Sequence, residues 1–494
     1  MIDVSEIKRL IEADNTSVKK RLARQGVDYY EGCHDILDYR LFYYNADGIL
    51  VEDKTRANNR ICHPFFSELV DQLVSYILSN EENPIRSDAE GLQERLDEYF
   101  DDDFWSEAAD LLAGAYVKGF EYMYAYKNAE ERLAFQCADS IGVVEVREHD
   151  TDDHCAYFIY WYVDRIEKGT KEIIRIQIHN ENEIWFYVQD GSSGEITLDK
   201  DQPTNPRPNV IYTDTTTGQL YGDSLGFIPF FKLSYNNKEF SGLKPIKALI
   251  DDYDLMECGL SNNLQDFDTP IHVVKGFEGD NLDELQHNIK TKKVVGIDGE
   301  GGIDVLTVDV PYEARKTKAD EDEKNIYRFG MGLNTQGLKD TNATTNLAIR
   351  ASYSLLDLKA EKFEKRFKKF LKLIARPVLD EINAKNSTDY RVKDIYFDFK
   401  HNILLNETEN IQNEKTKAET QQIQLNSVLS SAAYLGDDET LKAICDVFEI
   451  NPEDIKVEPD AAAILDSVKG ALNNIPDATD PEEQIEAEPS GDVI

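Results

Sequence analysis

Positive charge is scarce in this chain: 54 Lys and Arg stand against 95 Asp and Glu over 494 residues, a formal net charge of −41. A protein that grips nucleic acid by neutralising phosphates carries the opposite balance. Most of this surface repels a polyanion. That argues against a sequence-reading DNA binder. It does not exclude a channel through which DNA slides without sticking, and solubility or adaptation to high salt produces the same composition. The six cysteines (Cys33, Cys62, Cys137, Cys155, Cys258, Cys445) contain no CxxC. This fits reduced, cytosol-made thiols and not a disulfide framework. No apolar run is long enough to span a bilayer. The first residues, MIDVSEIKRLIEADN, lack the apolar centre of a signal peptide, so no membrane partner is expected. The glycine-rich stretch GMGLNTQG follows a helix and lacks the Lys-Ser/Thr that ends a P-loop. ATP binding is therefore not expected of this stretch.

What is present can build cores. Hydrophobic residues make up 41% of the chain, with 25 Tyr and 22 Phe, and the length suits several domains. The pattern predicts an α+β fold. An amphipathic helix is expected over 3–24, then a tyrosine-rich link over 29–44. Further helices are expected over 65–79, 89–100 and 104–126. From 133 to 233, short β-branched and aromatic runs (IGVVEV, CAYFIYWYV, EIIRIQIH, EIWFYVQD) alternate with turn signals and predict an antiparallel meander. DGSSG at 190–194 is a hairpin turn, and 199–226 reads as a surface loop. A helix follows over 243–268. The next forty or so residues read strand, helix, strand, glycine turn, strand, too small a piece to stand without a neighbour. The helix from 311 is polar nearly all round, so it depends on ion pairs or on neighbouring copies.

The most informative stretch runs from Gly330 to Ile382. A loop rich in glycine and amides opens into a very long helix with one apolar row: Tyr353, Leu356, Ala360, Phe363, Phe367, Phe370 and onward through Ile382, beginning at Ile349. Steps of three and four residues put these on one face. The rest of the helix is basic, with Arg350, Lys359, Lys362, Lys365, Arg366, Lys369 and Lys372 among others. A basic helix in so acidic a chain calls for acidic partners. We expect Arg350, Lys362, Arg366 and Lys369 to lie at an interface between copies.

Enzyme chemistry finds no footing. The neighbours Cys33–His34, Cys62–His63 and His154–Cys155 lack zinc spacing. The acid runs Asp101–Asp103, Asp150–Asp153 and Asp320–Glu323 could hold Mg²⁺ in a nuclease, but no basic groove accompanies them. Neither cofactor nor metal is expected. The competing function is a monomeric, acidic, metal-dependent nuclease or DNA-processing accessory factor.

The order of parts resembles the portal proteins of tailed bacteriophages, in the branch of siphoviruses that infect Gram-positive hosts. The segments that carry the likeness are NNRICHPFFSELVDQLVSYILSN followed by NPI, then IPFFKLSYNNKEFSGLKPIKALIDDYDLMECGLSNNLQDF, then TNATTNLAIRASYSLLDLKAEKFEKRFKK. The resemblance implies a virion protein without enzymatic activity, assembled as a ring, usually a dodecamer, at one capsid vertex. Double-stranded DNA passes through the centre during packaging and ejection. The implied partners are the terminase large subunit, then the head–tail adaptor, with scaffold and major capsid proteins around the ring.

By the same analogy 1–242 is the wing and 243–268 a stem helix. Residues 269–310 form the clip, 311–330 the second stem helix and 331–346 the tunnel loop. Residues 347–406 hold the long wing helix and a following strand, 407–470 the crown, and 471–494 a disordered acidic tail. The loop would face DNA with Asn334, Thr335, Gln336, Lys339, Asp340, Asn342 and Thr344, making weak, exchangeable bonds to phosphate. Gly330, Gly332 and Gly337 would act as hinges through positive φ. Lys290, Lys292 and Lys293 in the clip would meet the motor or the connector.

Overall fold

In the computed structural model the described residues are 3–54, 56–80, 82–149, 155–167, 171–191, 194–213, 220–267, 271–275, 302–306, 312–335 and 346–401, with scattered positions from 415 to 447. The chain divides into two units, residues 1–404 and 405–494.

The first unit mixes helices with antiparallel sheets, as the α+β expectation held. Its opening helix is two: α1 (Val4–Asn15) and α2 (Val18–Tyr30). Ser17 makes the break. Its side chain accepts a hydrogen bond from Lys20 N and caps α2, a start signal inside an otherwise continuous helical pattern. The tyrosine-rich link is not a plain link. After a 3-10 turn (Asp35–Asp38) it forms a hairpin of β1 (Phe42–Tyr44) and β2 (Leu50–Glu52).

Helix α3 (Phe65–Ile77), a short strand β3 (Ile85–Arg86), α4 (Leu92–Tyr99) and α5 (Asp102–Lys118) follow. The helix expected over 104–126 stops at Lys118, where Gly119 takes φ 95°. The next residues, Phe120–Lys127, are strand β4. Only glycine adopts that dihedral cheaply, so it ends the helix where the apolar pattern continues. Strands β5 (Leu133–Ala138) and β14 (Phe230–Ser234) flank β4 in a three-stranded sheet.

A second sheet holds β6 (Val143–Val146), β7 (Tyr157–Glu167), β8 (Lys171–His179), β9 (Glu183–Asp190) and β10 (Ile196–Leu198), each antiparallel to the next. Within 199–226 the backbone forms β11 (Arg207–Pro208), which pairs with β9, and a hairpin of β12 (Val210–Thr213) and β13 (Leu220–Asp223). Ile7 of α1 is fully buried and packs against the second sheet with Val144, Ile159 and Ile176. Lys20 locks the two helices there: its buried Nζ donates to Val143 O at 2.8 Å and pairs with Asp14 at 2.9 Å.

Among the described residues, three more helices follow: α6 (Lys247–Phe267), α7 (Tyr312–Gly330) and α8 (Asn346–Asn386). Between α6 and α7, β15 (Ile271–Lys275) pairs antiparallel with β16 (Gly302–Leu306). The helix and strand expected between those two, with Lys290, Lys292 and Lys293, lie outside the described residues. After α8, a 3-10 turn (Val392–Asp394) leads to β17 (Tyr396–Phe397), paired with β3. The apolar row of α8 is buried from Leu356 to Ile382 against a core shared with α3 and α5. In the second unit, residues 420–431 are helical, and the tail from 451 lies outside the described residues.

Candidate channel loop and its anchorage

The junction of α7, the following loop and α8 is built by a buried helix end. Gly332 N donates to Tyr327 O at 3.0 Å, Met331 N reaches Arg328 O at 3.4 Å, and Met331 has φ 52°. This is a Schellman closure. Its left-handed residue is a methionine, where glycine is usual. The glycine hinge reading therefore needs correcting: Gly330 and Gly332 are not among the positive-φ glycines. Their lack of a side chain serves close packing. A Cβ on Gly330 would lie 2.6 Å from Leu69 Cδ1, and one on Gly332 would overlap Leu69 Cδ2. Helix α3 presses directly on the loop's root.

Polar bonds complete the anchorage. Gln72 of α3 clamps one residue from both sides: its Oε1 accepts from Leu333 N at 2.9 Å and its Nε2 donates to Leu333 O at 3.0 Å. Tyr327 donates to Glu68 Oε2 at 2.6 Å. Burial, then the bond to that carboxylate, raises the Tyr327 hydroxyl above its ordinary range. Lys359 of α8 donates to Gly330 O, the helix-terminal carbonyl, at 2.8 Å, with its ammonium 4.2 Å from the centre of the Tyr116 ring. Helix termini offer unpaired carbonyls and a negative dipole end, so a cation suits that spot. Burial pushes its pKa down to about 7.

By charge alone Lys359 belongs with the basic residues of α8, yet it is buried. Its own spacing, three after Leu356 and four before Phe363, puts it on the apolar face. The partners Gln72, Leu69 and Glu68 had no such signal, because nothing in the sequence links α3 to the loop.

Of the expected loop residues, Gly330, Gly332, Asn334 and Thr335 are described. Asn334 is half-buried, its Nδ2 3.3 Å from Glu323 Oε1, and so is turned toward α7; Thr335 is exposed. Gln336, Gly337, Lys339, Asp340, Asn342 and Thr344 lie outside the described residues.

The other face of α8 is different. Arg350, Lys362 and Lys369 are exposed, and Arg366 donates to Asn237 Oδ1 at 2.5 Å. Lys362, Lys365, Lys369, Lys372 and Arg376 form a row with no ion-pair partner among the described residues. Each stands two residues beyond a member of the apolar row, about 200° around a helix, so the rows are opposed. The row spans about 21 Å of helix axis.

Helices α6 and α7 pack side by side, and Lys318 joins them by reaching Asp252 at 2.6 Å while also pairing with Asp322. Helix α7 is less polar than its sequence suggests, burying Ala319, Ile326 and Tyr327. Behind α6, Asp254 accepts from His34 Nδ1 at 2.6 Å and His63 Nδ1 at 2.7 Å. Burial raises this carboxyl, but the two imidazole bonds outweigh it and hold the group below its ordinary range. Among the described residues, no group of His, Cys, Asp and Glu side chains is arranged to hold a metal ion, and no helix is long and apolar enough to cross a membrane.

Comparison with known proteins fits this arrangement of parts. Residues 8–446 match the family described as phage portal protein, SPP1 Gp6-like. The portal protein of Bacillus phage SPP1 is 25% identical over 426 residues, covering 83% of this chain and 82% of that protein. The portal protein of Clostridium phage phiCD119 is 25% identical over 427 residues, covering 83% of this chain and 88% of its own. With the match running across nearly the whole length, the chain belongs to the SPP1 Gp6-like family of phage portal proteins.

Proposed function

We propose that copies of this chain close into a ring, a dodecamer in the capsid, that forms the DNA channel at one vertex of a phage head. The observation that carries the reading is the opposed pair of rows on α8. One row is sunk in the core. The other presents cations that have no partner among the chain's own described residues, although acids outnumber bases 95 to 54. A second copy supplies the missing acids, and a head-to-tail contact of that kind generates a ring when its rotation closes.

In that ring α6 and α7 are the stem, β15 and β16 belong to the clip, and the loop that begins at Met331 faces the lumen. Double-stranded DNA presents a negative charge about every 1.7 Å of axis. An acidic wall carrying amide and hydroxyl side chains binds it weakly enough for passage. The chain's part is structural. The terminase large subunit docks during packaging and supplies the ATP hydrolysis, and the head–tail adaptor takes its place afterward. Scaffold and major capsid proteins surround the ring.

End-on electron microscopy of the purified full chain tests the reading. Annular particles with a central hole are expected. A folded monomer at high concentration and near-physiological salt would overturn it.

A further inference from the structure

The last described stretch of the first unit, residues 398–401, is a strap laid beside the C-terminal end of α3. Asp398 N donates to Pro84 O at 2.8 Å, Asn80 Nδ2 to Asp398 O at 2.8 Å, Lys400 N to Asn80 Oδ1 at 3.0 Å and Ser79 Oγ to Lys400 O at 2.8 Å. Phe399 packs on Phe367 of α8, ring centres 5.7 Å apart. None of these contacts involves a group that titrates near neutral pH. His401 comes next, just before the first unit ends at residue 404, and its grip is of another kind.

Its imidazole is half-buried and stacks on Tyr76 of α3, ring centres 4.5 Å apart. Both ring nitrogens meet carboxylates of α8. Nδ1 lies 3.3 Å from Asp357 Oδ1, and Nε2 forms an ion pair with Glu364 Oε2 at 3.2 Å, off the line of a hydrogen bond. The two acids sit two turns apart on one helix face, so a single flat ring spans both. Other charged groups surround them. Lys368 holds Glu364 at 2.5 Å, Tyr76 donates to Asp357 Oδ1 at 3.2 Å, and Tyr353 and Glu361 of α8 act on Tyr76. On the strap itself, Lys400 pairs with Asp398 at 3.6 Å.

An ionised carboxylate only accepts hydrogen bonds, whereas a neutral imidazole has one N–H and one lone pair. A neutral His401 therefore turns a lone pair toward one of the two carboxylates. Only the imidazolium suits both. The Glu364 carboxylate is the largest influence and raises the imidazole pKa, burial opposes it, and the balance lies above the ordinary value. We infer that His401 is a pH-sensitive clasp, fastening the chain to α8 where it leaves the first unit. The clasp holds in acid and loosens in base. A raised folded pKa gives stability that is full below the ordinary value of about 6.5 and is lost as pH rises through the folded pKa. Once the proton leaves, Lys368 still covers Glu364 and Tyr76 still covers Asp357. Helix α8 thus tolerates the change, and only the end of the strap is released. The clasp acts within one chain and does not depend on ring formation.

Hydrogen exchange reports local opening of this kind. The full chain is measured by mass spectrometry at about pH 5.5 and about pH 8.5, either side of the ordinary histidine value, with each rate divided by the chemical exchange rate at that pH. The wild-type peptide containing His401 should then exchange roughly fivefold faster at the higher pH, the upper end for a partly exposed ion pair. Peptides from the buried row of α8 should show no such change. His401→Gln should exchange at the fast rate at both pH values. His401→Arg, a fixed planar cation that can reach both carboxylates, should exchange slowly at both. A wild type without the pH effect, or a His401→Gln chain that keeps it, would overturn the clasp. If His401→Gln does not fold, Glu364→Gln serves in its place: the difference between the two pH values should shrink, and an undiminished difference would overturn the clasp equally.

Discussion

At the scale of single residues, the loop's root depends on groups that cannot be exchanged freely. Gly332 has no room for a methyl beside Leu69. Gly332→Ala should destabilise the fold by about 1–3 kcal/mol through overpacking, read by urea unfolding. In a Leu69→Ala background, itself costly because that side chain is fully buried, Gly332→Ala should cost less than it does in wild type, because the two side chains compete for one space.

Lys359 permits a prediction with a definite sign. Its folded pKa lies near 7, whereas an unfolded lysine keeps its proton to about 10.4. Between those values the unfolded chain binds more protons, so stability rises with pH. Lys359→Met should flatten that rise by on the order of 3 kcal/mol between pH 7 and 10, measured as the difference between variant and wild-type unfolding curves. An unchanged slope would mean that the ammonium is not desolvated as its burial implies. The position was readable in the sequence by helical spacing, but sorting residues by charge hid it. The clamp by Gln72 was not readable, since an amide facing a distant backbone leaves no local pattern.

At the scale of elements, strong periodicity was legible and punctuation was less so. The apolar row of α8 and the strands from 133 to 198 follow directly from spacing and β-branched runs. The α5–β4 boundary did not, because an apolar aromatic run suits a buried helix or a buried strand equally, and Gly119 alone decides. The split between α1 and α2 rests likewise on one capping serine. The outward row of α8 yields its own prediction. Lys365→Glu with Lys369→Glu should abolish rings while shifting the melting temperature little, since exposed charges contribute about 0–1 kcal/mol to a fold. Electron microscopy and a thermal melt on the same sample check both halves. Intact rings would remove this row from the interface.

At the scale of the whole molecule, the imbalance of charge makes association depend on salt in a particular way. At about 0.15 M the Debye length is already about 8 Å, so long-range repulsion between copies is largely screened. Raising sodium chloride to about 1 M shortens it to about 3 Å and weakens contact pairs. Sedimentation should then show subunits released from rings while the dichroism spectrum holds. A size distribution indifferent to salt would sink the pairing of α8 with acids on its neighbour. Composition disclosed the excess of acid, yet it could not disclose that the β1–β2 hairpin leaves Phe42, Tyr44 and Leu50 exposed. That fact depends on which side chains the rest of the chain leaves uncovered.

The double grip of Gln72 on Leu333, together with Lys359 on Gly330, has a mechanical consequence. Tension applied to the segment beyond Asn334 travels first into α3 and α8, the two helices at the centre of the largest core, and not into the outer sheets. In the proposed ring, each subunit thus braces the root of this loop against its main buried core, so a load is borne where packing is closest.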